Sequence, residues 1–183
     1  MDAAIVAIQQ HGADALSLRR LAKQVGVSHA APYRHFPTKE HLFAAIAAQG
    51  FAELRSTIGA VSATDAWLER AARAYLQFAL DNPAHFQLMF SIPLSRTEHE
   101  ALGDAGRATL DALVDGIVVA QAAGHVRDGD PLAVALTAWS TVHGLACLLV
   151  GGALPVPRFG TPQAVVERVI PQLLQSLSPL LVA

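Results

Sequence analysis

The stretch 16-LSLRRLAKQVGVSHAAPYRHFPTK-39 decides the fold. Ser17 stands at an N-cap position before a short amphipathic helix that ends at Gly26. Ser28 is a second N-cap residue only two positions later. Two short helices joined by a tight turn with glycine form a helix-turn-helix, so we predict a second helix over Ser28–His35 whose first turns face the major groove.

The corner of this predicted motif depends on small and apolar residues. Ala22 is small where the two helices cross, and we expect Val25 and Val27 to be buried at the corner. Pro32 has no backbone N–H to bond back into the first turn. The second helix therefore either begins irregularly at Ser28, or begins effectively one residue before the proline and leaves a non-helical turn ahead of it.

Helical periodicity continues through the rest of the chain, and no segment predicts a strand. The chain is therefore predicted to be all-α, with a small three-helix head over residues 1–47 and a larger helical body over 48–183. Within the body, we expect 83–90 to be an aromatic turn and 153–160 to be a linker. The expected helix bounds are a start at Thr38, a start at Thr64-Asp65, a long helix over 96–123, and starts at Asp130-Pro131 and Thr161-Pro162.

The charge of the chain changes sign along its length. Residues 1–50 carry five Lys and Arg against three Asp and Glu, whereas 51–183 carry eight against twelve. This asymmetry predicts a head that faces nucleic acid and a body that faces something else. The single cysteine, Cys147, cannot form an intramolecular disulfide, and no secretory leader is evident, so we expect a reducing cytoplasm. We expect Cys147 itself to be a small core residue.

The stretch 131–157 has no charged residue and is long enough to span a bilayer. Polar residues interrupt it and basic flanks are lacking, so a membrane span is the lesser alternative. A helix that is apolar all round also suits a bundle centre or a subunit interface. We expect no membrane, and we expect two copies of this helix and of the helix after Pro162 to form a four-helix interface.

Cations lie at two predicted helix starts, where the helix dipole disfavours them. Arg19 and Arg20 are in the first turn after Ser17, and Lys39 follows Thr38. Each placement costs about 0.3 kcal/mol or slightly more in isolation. A docked anion would reverse the sign, because the exposed N–H groups, the dipole and the cation would all point at it. DNA phosphates on either side of a groove supply such anions.

The ordered combination of 16-LSLRRLA-22, 26-GVS-28 and 33-YRHFPTK-39 closely resembles the DNA-binding domain of the TetR family of bacterial transcriptional regulators. This resemblance covers roughly residues 2–50. In the body, Trp139 with His143-Gly144 resembles the WHG-type C-terminal domain of one branch of that family.

The resemblance implies a homodimer with a DNA-binding head and a body that serves effector binding and dimerisation. Its expected function is repression at a pseudo-palindromic operator, relieved by a small, mainly apolar effector, without a cofactor. An activator or a ligand-independent regulator on the same scaffold is the alternative. An enzyme is a distant third, because no nucleophile stands near a base and no glycine-rich phosphate loop exists.

Carried over position by position, the resemblance assigns roles to nine residues of the head. Phosphate contacts are expected from Ser17, Arg19, Tyr33 and Lys39, backbone contact from His35, and base contacts from Ser28, His29, Ala30 and Arg34. The candidate wall of the effector cavity comprises Trp67, Tyr75, Phe78, Phe86, Phe90, Trp139 and His143. His143 is expected either to be satisfied by a neighbouring helix or to line that cavity.

Histidines at 85, 99, 125 and 143 and the triplet 98-EHE-100 raise the question of a metal. No HExxH or CxxC spacing occurs, and three ligands cannot be assembled from local sequence. We therefore expect no metal site.

Overall fold

A computed structural model of the chain describes residues 1–59, 66–90, 94–95, 97–154 and 156–178. Across these residues the secondary structure is helical and contains no strand, which confirms the predicted all-α fold. The α-helices are α1 Asp2–His11, α2 Leu18–Gln24, α3 Lys39–Gly59, α4 Trp67–Asp81, α5 Pro83–Phe90, α6 Glu100–Ala122, α7 Pro131–Val150, α8 Val156–Phe159 and α9 Pro162–Leu177. A single turn of 3-10 helix, Pro32–Arg34, lies between α2 and α3.

The helices form two compact units. The head unit consists of Met1–Glu53 and Asn82–Arg107, and the body unit consists of Leu54–Asp81 and Ala108–Ala183. The head unit thus contains the whole predicted head together with α5 and the beginning of α6. The boundary at residues 47 and 48 stays a prediction.

The head unit packs α5 against α1 around a core of small and branched apolar side chains. Ala4 and Ile8 of α1 and Leu42 and Ile46 of α3 are almost completely buried. Burial of a leucine or isoleucine contributes about 1.5–3 kcal/mol, so these side chains hold the short helices in place. Isolated helices as short as α1 and α2 would be marginal in water without this packing.

The corner of the helix-turn-helix differs from the prediction at two positions. Gly26 has φ 73°, and the amide of Val27 donates to the carbonyl of Ala22 at 3.0 Å, so the turn is tight as expected. Val25 and Val27 are nevertheless 50% and 47% exposed, so the prediction that they are buried is wrong. The segment that follows is a single turn rather than a full helix, and it is too short to cover them.

Two predictions of secondary structure are also wrong. Residues 83–90 form α5 rather than a turn, because proline is well suited to the first position of a helix and most of the segment is buried. The helix predicted over 96–123 begins only at Glu100. The linker 153–160 contains the short α8, and the predicted cap at Thr64-Asp65 lies outside the described residues.

The body unit is built around α4, which packs on α7 and α9. Asp130 caps α7 by accepting a hydrogen bond from the amide of Leu132 at 3.1 Å, and Thr161 caps α9 by accepting one from Ala164 at 3.2 Å. Both predicted helix starts are therefore confirmed. Among the described helices, α7 has the length and hydropathy to cross a membrane by composition alone, and a third of its apolar window is buried against its own unit.

Candidate DNA interface and effector site

The segment predicted to read DNA bases is a turn followed by one turn of 3-10 helix. The amide of Ala31 donates to the carbonyl of Ser28 at 3.0 Å, and the 3-10 turn then begins at Pro32. The prediction of a full helix over Ser28–His35 is therefore wrong, and the alternative in which a non-helical turn precedes the proline is confirmed. Pro32 is the physical cause, because it has no N–H to continue an α-helical ladder.

The expected base contacts all lie on the surface of the head unit. Tyr33 is 45% exposed, so nearly half of its surface is open to solvent. The exposed set is Ser28, His29, Ala30, Tyr33, Arg34 and His35. The set includes small, aromatic and cationic side chains. Arg34 offers hydrogen-bond donors to base edges, and Ala30 offers a methyl group for apolar contact.

The beginning of α2 presents backbone donors and two exposed arginines. Ser17 occupies the N-cap with an extended backbone, but its side chain makes no capping hydrogen bond. Arg19 is exposed, whereas the guanidinium of Arg20 donates to the carbonyl of Ala15 and is held at the preceding loop. Arg19 is therefore the better placed of the two arginines to meet a phosphate.

The beginning of α3 already contains an anion. The Thr38 hydroxyl donates to Glu40 at 2.7 Å and accepts from the amide of His41 at 3.4 Å, so Thr38 caps the helix. The hydrogen bond from Thr38 lowers the pKa of Glu40, with smaller help from the backbone and from the charge of Lys39. Lys39 donates to the Asp14 carbonyl at 3.4 Å. A phosphate at this helix start must approach beside Glu40, which the sequence analysis did not consider.

In the body unit, three of the predicted effector-site residues lie together. The Tyr75 hydroxyl is 2.8 Å from His143 Nδ1 and accepts a hydrogen bond from Trp139 Nε1 at 3.4 Å. His143 Nε2 lies 3.5 Å from Cys147 Sγ. His143 is thus satisfied by a neighbouring helix, which is the first of its two expected roles.

Burial sets the protonation of this cluster. It raises the pKa of the Tyr75 hydroxyl, an effect that the Trp139 hydrogen bond partly opposes, and it lowers the pKa of the His143 imidazole. A neutral His143 can accept a hydrogen bond from the Tyr75 hydroxyl at Nδ1 and donate one from Nε2. Burial also raises the pKa of the Cys147 thiol. Cys147 is nevertheless exposed, so the prediction of a core cysteine is wrong.

The other four predicted effector-site residues are divided between the two compact units. Trp67 packs on α6, where a Cβ added at Gly116 would lie 2.2 Å from the indole ring, and it lines a cavity of about 200 Å³ with Ala120 and Leu174. Phe78 is buried in the body unit. Phe86 and Phe90 belong to the head unit, with ring centroids 5.1 Å apart. The assignment of these four residues to an effector cavity stays a prediction.

The sequence analysis missed the most unusual polar group. His85 of α5 is 5% exposed, and neither ring nitrogen has a hydrogen-bond partner among the described residues. A buried polar group without a partner costs about 1–3 kcal/mol. The sequence signal was the histidine inside 83-PAHFQLMF-90, which was considered only as a metal ligand. The described part of the chain contains no cluster of three metal-binding side chains.

Profiles of two known protein domains match the chain. Residues 1–46 match the bacterial regulatory proteins of the tetR family, and residues 68–173 match the tetracyclin repressor-like C-terminal domain. The chain belongs to the TetR family. Members of this family are bacterial regulatory proteins, and regulators of this family bind DNA operators. The second match includes the Trp139 and His143-Gly144 positions.

Individual relatives agree with this assignment. The HTH-type transcriptional regulators Rv1816 of Mycobacterium tuberculosis and Mb1846 of Mycobacterium bovis are 29% identical over 131 residues. That region is 67% of this chain and 56% of theirs, so the chain spans little more than half the length of these relatives.

Solved structures share the fold over nearly the whole chain. A protein of unknown function from Rhodococcus sp. RHA1 is 32% identical, with a TM-score of 0.80 and coverage of 96% of this chain and 91% of its own. A tetR-family regulatory protein from Rhodococcus RHA1 is 24% identical, with a TM-score of 0.74 and coverage of 97% and 94%. AibR, solved with isovaleryl coenzyme A and operator DNA, is 15% identical, with a TM-score of 0.69 and coverage of 93% of each chain.

Proposed function

We propose that this TetR-family protein is a homodimeric repressor in the cytoplasm that binds a pseudo-palindromic operator and leaves it when a small, mainly apolar effector binds. The observation that carries the proposal is the exposed set from Ser28 to His35, which lies between two helix starts in one compact unit. Such a surface can place side chains in a major groove while backbone amides and cations meet phosphates on either side.

Two substitutions test how the contacts divide between phosphates and bases. Lys39→Ala removes a phosphate contact, so it should weaken binding to all duplexes. It should also reduce the slope of log affinity against log salt concentration by about one. Arg34→Ala removes a base contact, so it should cost roughly 1–3 kcal/mol on the preferred sequence and relax the preference at one position. Arg127→Ala is the control, because it removes an exposed cation of the body unit.

The measurement is the selection of duplexes from a random library, followed by titration of the selected and random duplexes at several salt concentrations. Equal losses for both variants on selected and random DNA would contradict the division of contacts. Salt-independent binding by the unsubstituted protein would contradict the DNA-binding surface itself.

Dimerisation is proposed through the outer face of α7. Leu132, Leu136 and Leu148 are 45%, 38% and 45% exposed, and the helix contains no charged side chain. An apolar helical face of this kind is typical of an obligate homodimer interface. Leu148→Glu should therefore yield a monomer in light scattering. Val118→Glu changes a residue of α6 with the same exposure, 46%, and should leave the dimer intact. An unsubstituted chain with monomeric mass at micromolar concentration would remove this part of the proposal.

The effector is proposed to be mainly apolar because the candidate lining is aromatic. Phe86 and Phe90 of the head unit lie together and offer wide apolar faces, and pockets of this composition use only a few polar groups to orient a ligand. Thermal-shift screening tests the proposal, and stabilisation by highly charged compounds alone would contradict it.

A further inference from the structure

His85 lies where α5 packs inside the head unit. α5 contacts α1, and it also approaches α3 closely at Gly50, where an added Cβ would be 2.6 Å from Met89 Sδ and 3.1 Å from His85 Cβ. The imidazole is therefore enclosed by packed helices rather than directed to solvent, and 5% of the residue is exposed.

The side chains around His85 are apolar and aromatic. Phe86 and Met89 of the same helix are 2% and 4% exposed. Phe90 meets Phe86 at a centroid distance of 5.1 Å and meets Phe51 of α3 edge-to-face at 5.3 Å. Methionine adapts its shape readily because it is unbranched, so Met89 is the part of this lining that can most easily make room.

Buried polar groups in folded proteins are almost always paired. His143 follows this rule through Tyr75, whereas both ring nitrogens of His85 are buried without a partner in the described part of the chain. A neutral imidazole has one donor and one acceptor nitrogen, so a hydroxyl group can pair with either nitrogen, whereas an oxygen without a proton can pair only with the donor.

We infer that His85 is the polar anchor of the effector, and that its imidazole hydrogen-bonds to a hydroxyl-bearing headgroup, either a carboxylic acid or an alcohol. The apolar body of that ligand packs on Phe86, Met89 and Phe90. This inference rests on the proposed function, since it specifies the effector that the regulator senses. It also places the anchor in the same compact unit as the exposed set from Ser28 to His35.

This location gives a direct route from ligand to DNA. A ligand wedged beside His85 must act on the packing of α5 against α1, and α1 is part of the head that carries the DNA contacts. The ligand would therefore act on the head unit itself, without an intermediate element.

The test uses octanoic acid, octanol and octyl methyl ether as probes on the full chain. The ether has the apolar body without a hydroxyl proton, and the acid and alcohol distinguish the two headgroups. Thermal shift and the histidine imidazole NMR signals report binding, and titration of duplexes selected from a random library reports release. His85→Leu keeps the side-chain volume without polar atoms, His85→Gln keeps a donor and an acceptor, and His125→Leu is a control on an exposed histidine of the body unit.

The inference expects octanoic acid or octanol to shift the His85 signal and to stabilise the unsubstituted protein. It expects the ether, whose oxygen can accept but not donate a hydrogen bond, to do both more weakly. His85→Leu should be at least as thermally stable without ligand, and it should lose affinity for the probe about tenfold or more, since the headgroup loses its partner. His85→Gln should retain most of the response, and His125→Leu should retain all of it.

Two results would overturn the inference. One is the absence of any probe effect on the His85 signal; the other is a His85→Leu variant that is destabilised and still responds fully. If ligand-free protein binds DNA in either case, the proposed function stands and the anchor alone is wrong. Ligand-free protein that binds no DNA would instead contradict the proposed function, while the probe titrations would still decide the role of His85.

Discussion

Removal of one hydroxyl, in Tyr75→Phe, tests the polar cluster of the body unit. Tyr75 is 5% exposed, and its oxygen meets His143 Nδ1 at 2.8 Å and Trp139 Nε1 at 3.4 Å. Phenylalanine keeps the ring and its packing, so the change deletes the hydrogen bonds of the hydroxyl.

The expected cost follows from burial and geometry. Loss of a partner by a buried polar group costs about 1–3 kcal/mol, and the bond at 3.4 Å is long enough to contribute little. His143 and Trp139 are half-buried, so water can reach them in part. We therefore expect a loss of about 1–2 kcal/mol, or roughly 3–6 °C in melting temperature for a chain of this size.

Urea denaturation at fixed protein concentration measures this loss and keeps any change in dimer formation separate. A double-mutant cycle with His143→Leu isolates the pair, and we expect a coupling of roughly 0.5–1.5 kcal/mol. Strict additivity of the two single losses would refute the hydrogen bond as a source of stability. A Tyr75→Phe variant as stable as the unsubstituted protein would do the same.

The other predictions concern a close contact, a helix cap and pH. Gly116→Ala should lose about 1–3 kcal/mol in urea denaturation, because its Cβ would overlap the Trp67 ring, whereas Gly59→Ala meets open space and should lose nothing. Asp130→Ala should cost about 1 kcal/mol and Asp130→Asn much less, and equal losses would exclude capping. Burial lowers the pKa of His143, so the native state binds its proton less readily than the unfolded state; stability should fall as pH drops below the ordinary value of 6.5, and His143→Gln should flatten that dependence.

Much of the fold could be predicted from local chemistry. Capping residues followed by proline, as at Asp130 and Thr161, mark helix starts without reference to the rest of the molecule. Gly26 has a positive φ where the sequence predicted the tight turn. These signals act within a few residues, and the sequence contains all of them.

The errors arose where the outcome depends on what lies across the molecule. Val25 has the apolar character of a core residue, but half of it is exposed. Cys147 was likewise expected in the core and is exposed. The missing partner of His85 can be recognised only when every neighbour is known, so periodicity could not single it out.

Pro32 also affects how freely this regulator could change its target during evolution. Residues 28–30 lie in a turn, so substitutions there are not limited by helix propensity, and β-branched residues or glycine would be tolerated as well as alanine. The backbone of the segment is set by the proline and by the tight corner before it, rather than by the side chains that face outward. New base preferences could therefore arise by exchange of those side chains alone, with the stability of the head left almost unchanged.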